Sequence, residues 1–364
     1  MRHCTAVRAA HRHRTDGSPL HSTASKTHIL SSPLRRCLLT NKVLPRALML
    51  RFELVRPPSL AHSSRLFLVP SDILHPRFTP LEQSKGKGLW VTCWREAVET
   101  LAKKGSYKRL HGSAVLDPTA ATQLVHSQLA RRIVQEAEIY AERAKSWPSS
   151  ADPILSACPV ERVDLDDLEA RRGAGAGSDR RLLAILDFSP PSSTDTSPPT
   201  TPLTSSVDDG TGVTVPRYHL SRFLGDIRLP PAPPSQDAPS PSSTSSKDSL
   251  LRSMRRSMNG IVKLWHRRLA RQTGEPPETS PTRAPLFLLY APTPPSPPLS
   301  PPSDGDGSSE ALAKPAPADD LRRRQAEDLV VFLTALKRCS LWLGEGWDAE
   351  AGTAETGTAE GRTQ

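Results

Sequence analysis

A chain of 364 residues that is 36% hydrophobic and 5% aromatic, with 37 prolines, cannot bury apolar surface along its whole length. Long polar and proline-rich tracts do not repay the entropy of ordering, so the one or two domains that length suggests shrink to one modest core with insertions. The formal net charge of +10 favours an acidic partner such as nucleic acid or anionic lipid, and the lack of any run of about 18 apolar residues argues against a transmembrane helix.

Residues 1–52 read as an address. Arg2, Arg8, Arg12, Arg14, Lys26, Arg35, Arg36, Lys42, Arg46 and Arg51 are basic, and Asp16 is the only acid before Glu53. An Arg-rich, Ser-rich, acid-poor leader has the composition of a mitochondrial transit peptide, drawn toward the negative side of the inner membrane. The run from Leu34 to Leu44 interleaves apolar and basic residues and predicts a short amphipathic helix. Two other readings compete: a disordered nucleic-acid arm, or an upstream extension of a chain that starts at Met49. No apolar core of about 7–15 residues near the start suggests a secretory signal.

A discontinuous core is expected over residues 60–344, of α/β or α+β class. Leu66–Val69 and Leu89–Trp94 predict strands, and Arg95–Lys104 a helix stopped by Gly105. The clearest helix runs from an Asp117 cap, with Pro118 in its first turn, to Pro148. Val125, Leu129, Ile133, Ala137, Tyr140 and Ala144 line one face. Arg131, Arg132, Gln135, Glu138 and Glu142 lie opposite, where solvent is the simple expectation. Leu182–Phe188 and Leu286–Tyr290 read as buried strands. Val213–Val215 and Arg217–Leu224 carry order between them. A last helix is expected from Asp319 or Asp320 to Leu343, with an acidic start and Lys337 and Arg338 near its end to suit its dipole.

Between these elements, tracts rich in Pro, Ser, Thr and Gly predict disordered insertions at about 189–210, 230–248, 272–284 and 293–318, and an acidic disordered tail over 345–364. They hold many Ser-Pro or Thr-Pro steps, among them Ser189-Pro190, Ser197-Pro198, Thr201-Pro202, Ser240-Pro241, Ser280-Pro281 and Ser300-Pro301. Phosphate there would add about −1.5 to −2 charge per site. Pro230–Pro233 loosely resembles a PxxP ligand.

The strongest local signal is Leu251–Arg271. Leu251, Met254, Met258, Ile261, Val262, Trp265 and Leu269 follow helical spacing, while Arg252, Arg255, Arg256, Lys263, Arg267, Arg268 and Arg271 fill the rest without an acid among them. Such a basic amphipathic helix fits an anionic membrane surface, a protein groove, or the phosphates of RNA or DNA. The plainer reading docks its apolar face on the core and leaves its charges in water. Gly260 costs the helix about 1 kcal/mol relative to Ala.

Other motifs fail on spacing. Gly173–Ser178 follows an acidic helical stretch where a dinucleotide fingerprint needs a strand, and lacks its last glycine. Lys85–Gly88 is not a P-loop, and Asp304–Gly307 lacks the offsets of a calcium loop. Cys4, Cys37, Cys93, Cys158 and Cys339 form no CxxC or zinc spacing. His3, Cys4, His11 and His13 offer at most adventitious metal binding. No local sequence marks a catalytic nucleophile, so no cofactor is expected and no reaction is named, an enzyme with a dispersed site on the α/β fold being a third reading.

Two functional expectations follow. One is a non-enzymatic mitochondrial accessory factor for assembly, maintenance or gene expression, in the matrix or on the matrix face of the inner membrane, bound to a protein, an anionic membrane surface or nucleic acid. The other is a cytosolic or nuclear phospho-regulated adaptor with proline-rich interaction tracts.

Overall fold

In a computed structural model the fold is described for residues 28–56, 65–78, 88–147, 158–173, 181–190, 204–208, 214–224, 246–274, 284–291 and 317–345. Eleven strands among these residues form three sheets. A hairpin pairs β1 (Leu34–Arg36) with β2 (Val43–Pro45). A four-stranded sheet has the order β5 (Gly88–Thr92), β3 (Met49–Val55), β4 (Leu66–Ser71), β6 (Ala114–Val115). A five-stranded sheet has the order β7 (Val160–Val163), β11 (Leu286–Tyr290), β8 (Leu182–Asp187), β10 (Thr214–His219), β9 (Thr204–Asp208). Only β4–β6 and β8–β10 pair in parallel among the described strands. The mixed helix-and-sheet class read from the sequence is thus the observed one.

The helices are α1 (Arg95–Lys104), α2 (Pro118–Ser146), α3 (Leu165–Gly173), α4 (Leu220–Phe223), α5 (Ser246–Thr273) and α6 (Pro317–Trp342). Gly105 ends α1 in the left-handed region at φ 60°, and its N–H reaches Leu101 and Ala102 carbonyls. Asp117 caps α2, its Oδ1 accepting from the N–H groups of Thr119 and Ala120 at 2.9 and 3.1 Å. Pro118 has no N–H to satisfy, and the Ala121 N–H bonds to the Asp117 carbonyl, so the first turn of the helix keeps no orphan donor.

Helix α2 is the axis of the molecule and not the surface helix its pattern predicts. α5 and α6 pack along it, with α1 and β4 against its remaining side. Ile133, Ala137 and Tyr140 are buried as expected, but so are Val134, Glu136 and Ile139. Of the expected solvent-facing residues only Arg131 and Glu142 are exposed, Glu142 in an ion pair. Arg132 pairs with Glu136 at 2.5 Å, Glu138 Oε1 accepts from Ser253 Oγ of α5 at 2.6 Å, and Arg143 pairs with Asp328 of α6. Gln135 Oε1 accepts from the His75 N–H, and Arg77 reaches Glu142. A helix crossed on several sides carries its polar residues into the contacts, where each buried group needs a partner.

The five-stranded sheet is covered on both faces, which explains its uninterrupted apolar runs. Ala184, Leu186, Tyr218, Phe287 and Leu289 enter the main core shared with the other sheet and the long helices. On the opposite face Val163, Ile185, Val215, Leu286 and Leu288 form a smaller cluster with Leu168 of α3.

The N-terminal boundary differs from the sequence reading. Leu34–Leu44 forms no helix: Asn41 takes the left-handed conformation at φ 57°, and the Cys37 N–H bonds to the Lys42 carbonyl across a tight turn between β1 and β2. Met49, Leu50 and Phe52 are fully buried in the central strand β3. The core therefore begins well before residue 60, and a leader ending at residue 52 would cut that strand in two. A start at Met49 would delete the hairpin that holds Trp90 through Leu38 N–H.

Several expected insertions are also shorter than composition suggests. Residues 204–208, within the 189–210 tract, form β9 and pair with β10 over five residues, Val207 packing on the smaller cluster. Helix α5 occupies 246–248 and 272–273, and α6 begins at Pro317, ahead of the expected Asp319. Residue 345 closes the described chain with its N–H bonded to the Ser340 carbonyl. The rest of those tracts lies outside the described residues.

Candidate anionic-partner interface

The apolar face of α5 is spent on the core. Met254, Met258, Ile261, Val262 and Trp265 are buried, and the Trp265 side of the helix rests on α2. Leu251 is half-buried against the core, whereas Leu269 is left exposed. Trp265 retains only 6% exposure; its ring stands edge-on to Trp147, which stands edge-on to Tyr140. The indole that composition offers as a membrane anchor is therefore a core side chain.

The basic residues divide into two groups. Arg268 lies over the Trp265 ring at 5.9 Å and donates from Nη2 to the Lys145 carbonyl, so it ties α5 to α2. Burial lowers its pKa. Arg255 is half-buried near Arg162, whose pKa is lowered first by burial and then by that neighbouring charge. Arg162 in turn donates to the Ala284 carbonyl and to Asn259 Oδ1.

Arg252, Arg256, Lys263, Arg267 and Arg271 are exposed. At about 100° per residue, the first four fall within an arc of about 60°, and with Arg271 they extend over about 28 Å of helix. Arg252 Nε donates to the Asp248 carbonyl and Arg267 Nε to that of Lys263, which keeps both side chains along the helix. No acid occurs from residue 249 to 274. The result is a straight cationic row on a helix that its other face holds rigid.

A second polar constellation escaped the sequence reading because its members are far apart in the chain. Asp187 ends β8, and its register partner His219 ends the parallel strand β10. His219 Nδ1 lies 2.9 Å from Asp187 Oδ2, while Arg217 Nη2 and Nε donate to the same oxygen at 2.7 and 3.1 Å. The Ser189 N–H donates to Oδ1 at 2.8 Å, and Ser205 Oγ of β9 is 3.3 Å from His219 Nε2. Burial by itself raises the Asp187 pKa, but the bonds from His219, Ser189 and Arg217 outweigh it and hold the carboxyl far below its ordinary range. The only trace of this in the sequence is an acid closing an apolar run and two basic residues spaced by two.

Serine, histidine and aspartate here meet in the order of a hydrolytic triad, yet the electrostatics are those of a clamp. Arg217 already compensates the Asp187 charge, leaving little to stabilise an imidazolium. Ser205 lies within a paired strand and makes a long bond, not on a sharp turn that would present its oxygen. The array ties β8, β9 and β10 together at one edge of the sheet.

The remaining motifs supply no site. Gly88 opens β5 where an added Cβ would lie 2.9 Å from the Phe52 carbonyl and from Arg51 Nε, so close strand approach requires glycine there. Gly173 ends α3; residues 174–178, 85–87 and 304–307, His3, Cys4, His11 and His13 lie outside the described residues. Among the described residues, Cys37, Cys93, Cys158 and Cys339 form no disulfide, and no His, Cys, Asp and Glu group is placed to hold a metal ion. No helix among them is long and apolar enough to cross a membrane. No protein-family model, curated protein or solved structure matches this chain.

Proposed function

We propose that the protein is a non-enzymatic mitochondrial accessory factor of the gene-expression kind, and that it holds nucleic acid by its phosphates along α5. The observation that carries this reading is the division of α5: every buried apolar residue of the helix faces the core, and five cations form one exposed row. Interfacial membrane binding needs an apolar face to enter the acyl boundary, which α5 no longer has free. A phosphate backbone asks only for cations spaced along a rigid support.

The mitochondrial part rests on the acid-poor N-terminus. Because the fold takes up residues from 28 onward, the leader of this proposal is confined to the residues before it. The test joins residues 1–27 to a reporter and follows the endogenous protein in parallel. Import of the reporter, with a mature protein whose new N-terminus lies before residue 28, supports the reading. A cytosolic or nuclear signal for both, with phosphate on the Ser-Pro steps, replaces it with the adaptor reading. For the α5 part, Arg252→Gln/Arg256→Gln/Lys263→Gln/Arg267→Gln should weaken RNA binding without changing the unfolding midpoint, and unchanged affinity overturns it.

A further inference from the structure

The most exposed large hydrophobic side chains among the described residues come from one stretch of the chain, and they are not on α5. Leu30, Leu34 and Val43 are 65%, 58% and 53% exposed, ahead of Phe78 at 43%. All three lie on or just before the β1–β2 hairpin. Leu34 pairs with Pro45 and Arg36 with Val43, which makes Leu34 and Val43 diagonal neighbours on one face, about 7–8 Å apart. Arg36 shares that face, exposed Lys42 precedes Val43 at the turn, and Arg35 alternates to the opposite face. No acid occurs between Asp16 and Glu53.

The hairpin is firmly mounted. The Leu38 N–H bonds to the Trp90 carbonyl at 2.9 Å, and the Arg46 N–H to that of Pro33. The guanidinium groups of Arg35 and Arg46 lie 5.8 and 5.5 Å from the Trp90 ring centroid, and Arg46 also pairs with Asp72. The fold thus spends several interactions on presenting aliphatic tips to the outside, a combination that marks an interaction surface.

We infer that this hairpin is a foot that rests on an anionic bilayer surface, with Leu30, Leu34 and Val43 entering the acyl boundary and Arg36 and Lys42 meeting the head groups. Apolar tips beside cations, on a hairpin that carries no acid of its own, are what such a surface selects. A second copy of the chain is a poorer occupant: a two-fold interface through this face brings together two identical hairpins that carry cations and no acid to pair them. Nucleic acid has no use for three aliphatic tips. The inference is independent of the α5 reading, since it uses other residues and another ligand chemistry.

The test is flotation of the full-length protein with phosphatidylcholine vesicles and with vesicles of phosphatidylcholine and phosphatidylglycerol in equal parts. The protein should float with the anionic vesicles only, and added salt should release it. Leu34→Ser/Val43→Ser should weaken that binding by about tenfold or more, and Arg36→Gln/Lys42→Gln should weaken it comparably. The α5 row variant should still float, which separates failure here from failure of the RNA reading. Both hairpin variants alter exposed side chains, and an unchanged unfolding midpoint verifies their fold; the salt titration of the unaltered protein needs no variant. Equal flotation with both vesicle types, no flotation, or hairpin variants that bind like the parent would overturn the inference. So would a concentration-dependent dimer that Leu34→Ser/Val43→Ser dissolves.

Discussion

The Trp265 ring stands edge-on to the Trp147 ring, centroids 6.1 Å apart and planes at 78°, joining the C-terminal turns of α5 and α2. Trp147 passes the contact on to Tyr140, and Arg268 closes it from the Trp265 side. The long helices are therefore locked at one end by a chain of aromatic edges capped by a cation. Each edge-to-face pair adds about 0.5–1.5 kcal/mol beyond the area it buries.

Replacing Trp265 with Ala should accordingly cost about 3–5 kcal/mol of folding stability. Urea unfolding followed by circular dichroism measures it. A variant as stable as its parent would show that the indole does not hold the two helices together.

Neutralising the exposed row has the opposite signature. Arg252→Gln, Arg256→Gln, Lys263→Gln and Arg267→Gln should each change stability by no more than about 0.5 kcal/mol, as surface substitutions do. Together they should reduce the salt slope of single-stranded RNA binding by about 3, at about 0.7 per lost phosphate contact. Anisotropy titrations over a range of salt read that slope directly. Arg268→Gln belongs to the other class and should lower stability.

Asp187→Asn should destabilise the fold by about 3 kcal/mol, the lower end for a broken buried pair, because Arg217 and His219 keep some contact with water. The pH dependence has a definite sign. A carboxyl held below its unfolded value adds stability that is full above the ordinary carboxylate range near 4. That contribution fades as pH falls through this range toward the folded value. Unfolding midpoints measured from neutral to acid pH should fall more steeply for the parent than for Asp187→Asn.

Gly260 offers a gain. An added Cβ meets nothing within 4 Å, and the residue lies mid-helix on the exposed side of α5. Gly260→Ala should raise stability by about 1 kcal/mol, read as a higher urea midpoint at unchanged slope. A fall would mean that the helix bends at this point.

Local patterns in the sequence carried the caps and the strands well. Asp117, Pro118 and Gly105 act within a few residues of themselves, so their roles do not wait on the tertiary fold. The apolar runs of β8 and β11 are legible for the same reason, being buried on both faces. What composition misjudged depends on distant partners. Arg132, Gln135 and Glu138 look solvated until other elements cover them, and Met49–Val55 looks like part of a basic leader until β4 and β5 flank it. Of the basic residues assigned to the α5 site, periodicity could not separate Arg268, held by Trp265 and Lys145, from Arg267, exposed along the rim. The Asp187 array was invisible because it gathers residues from three strands.

Arg338 of α6 donates to the Met49 carbonyl of β3 at 3.0 Å, across 289 positions of chain. Synthesis proceeds at about 5–20 residues per second, so the first core strand waits about 15–60 s for the helix that closes over its end. β4 and β5 can pair the strand's backbone early in that interval, but the Met49 end of β3 lacks the helix that covers it until α6 is made. A topology that joins its two ends so late folds slowly and is exposed to aggregation in the meantime.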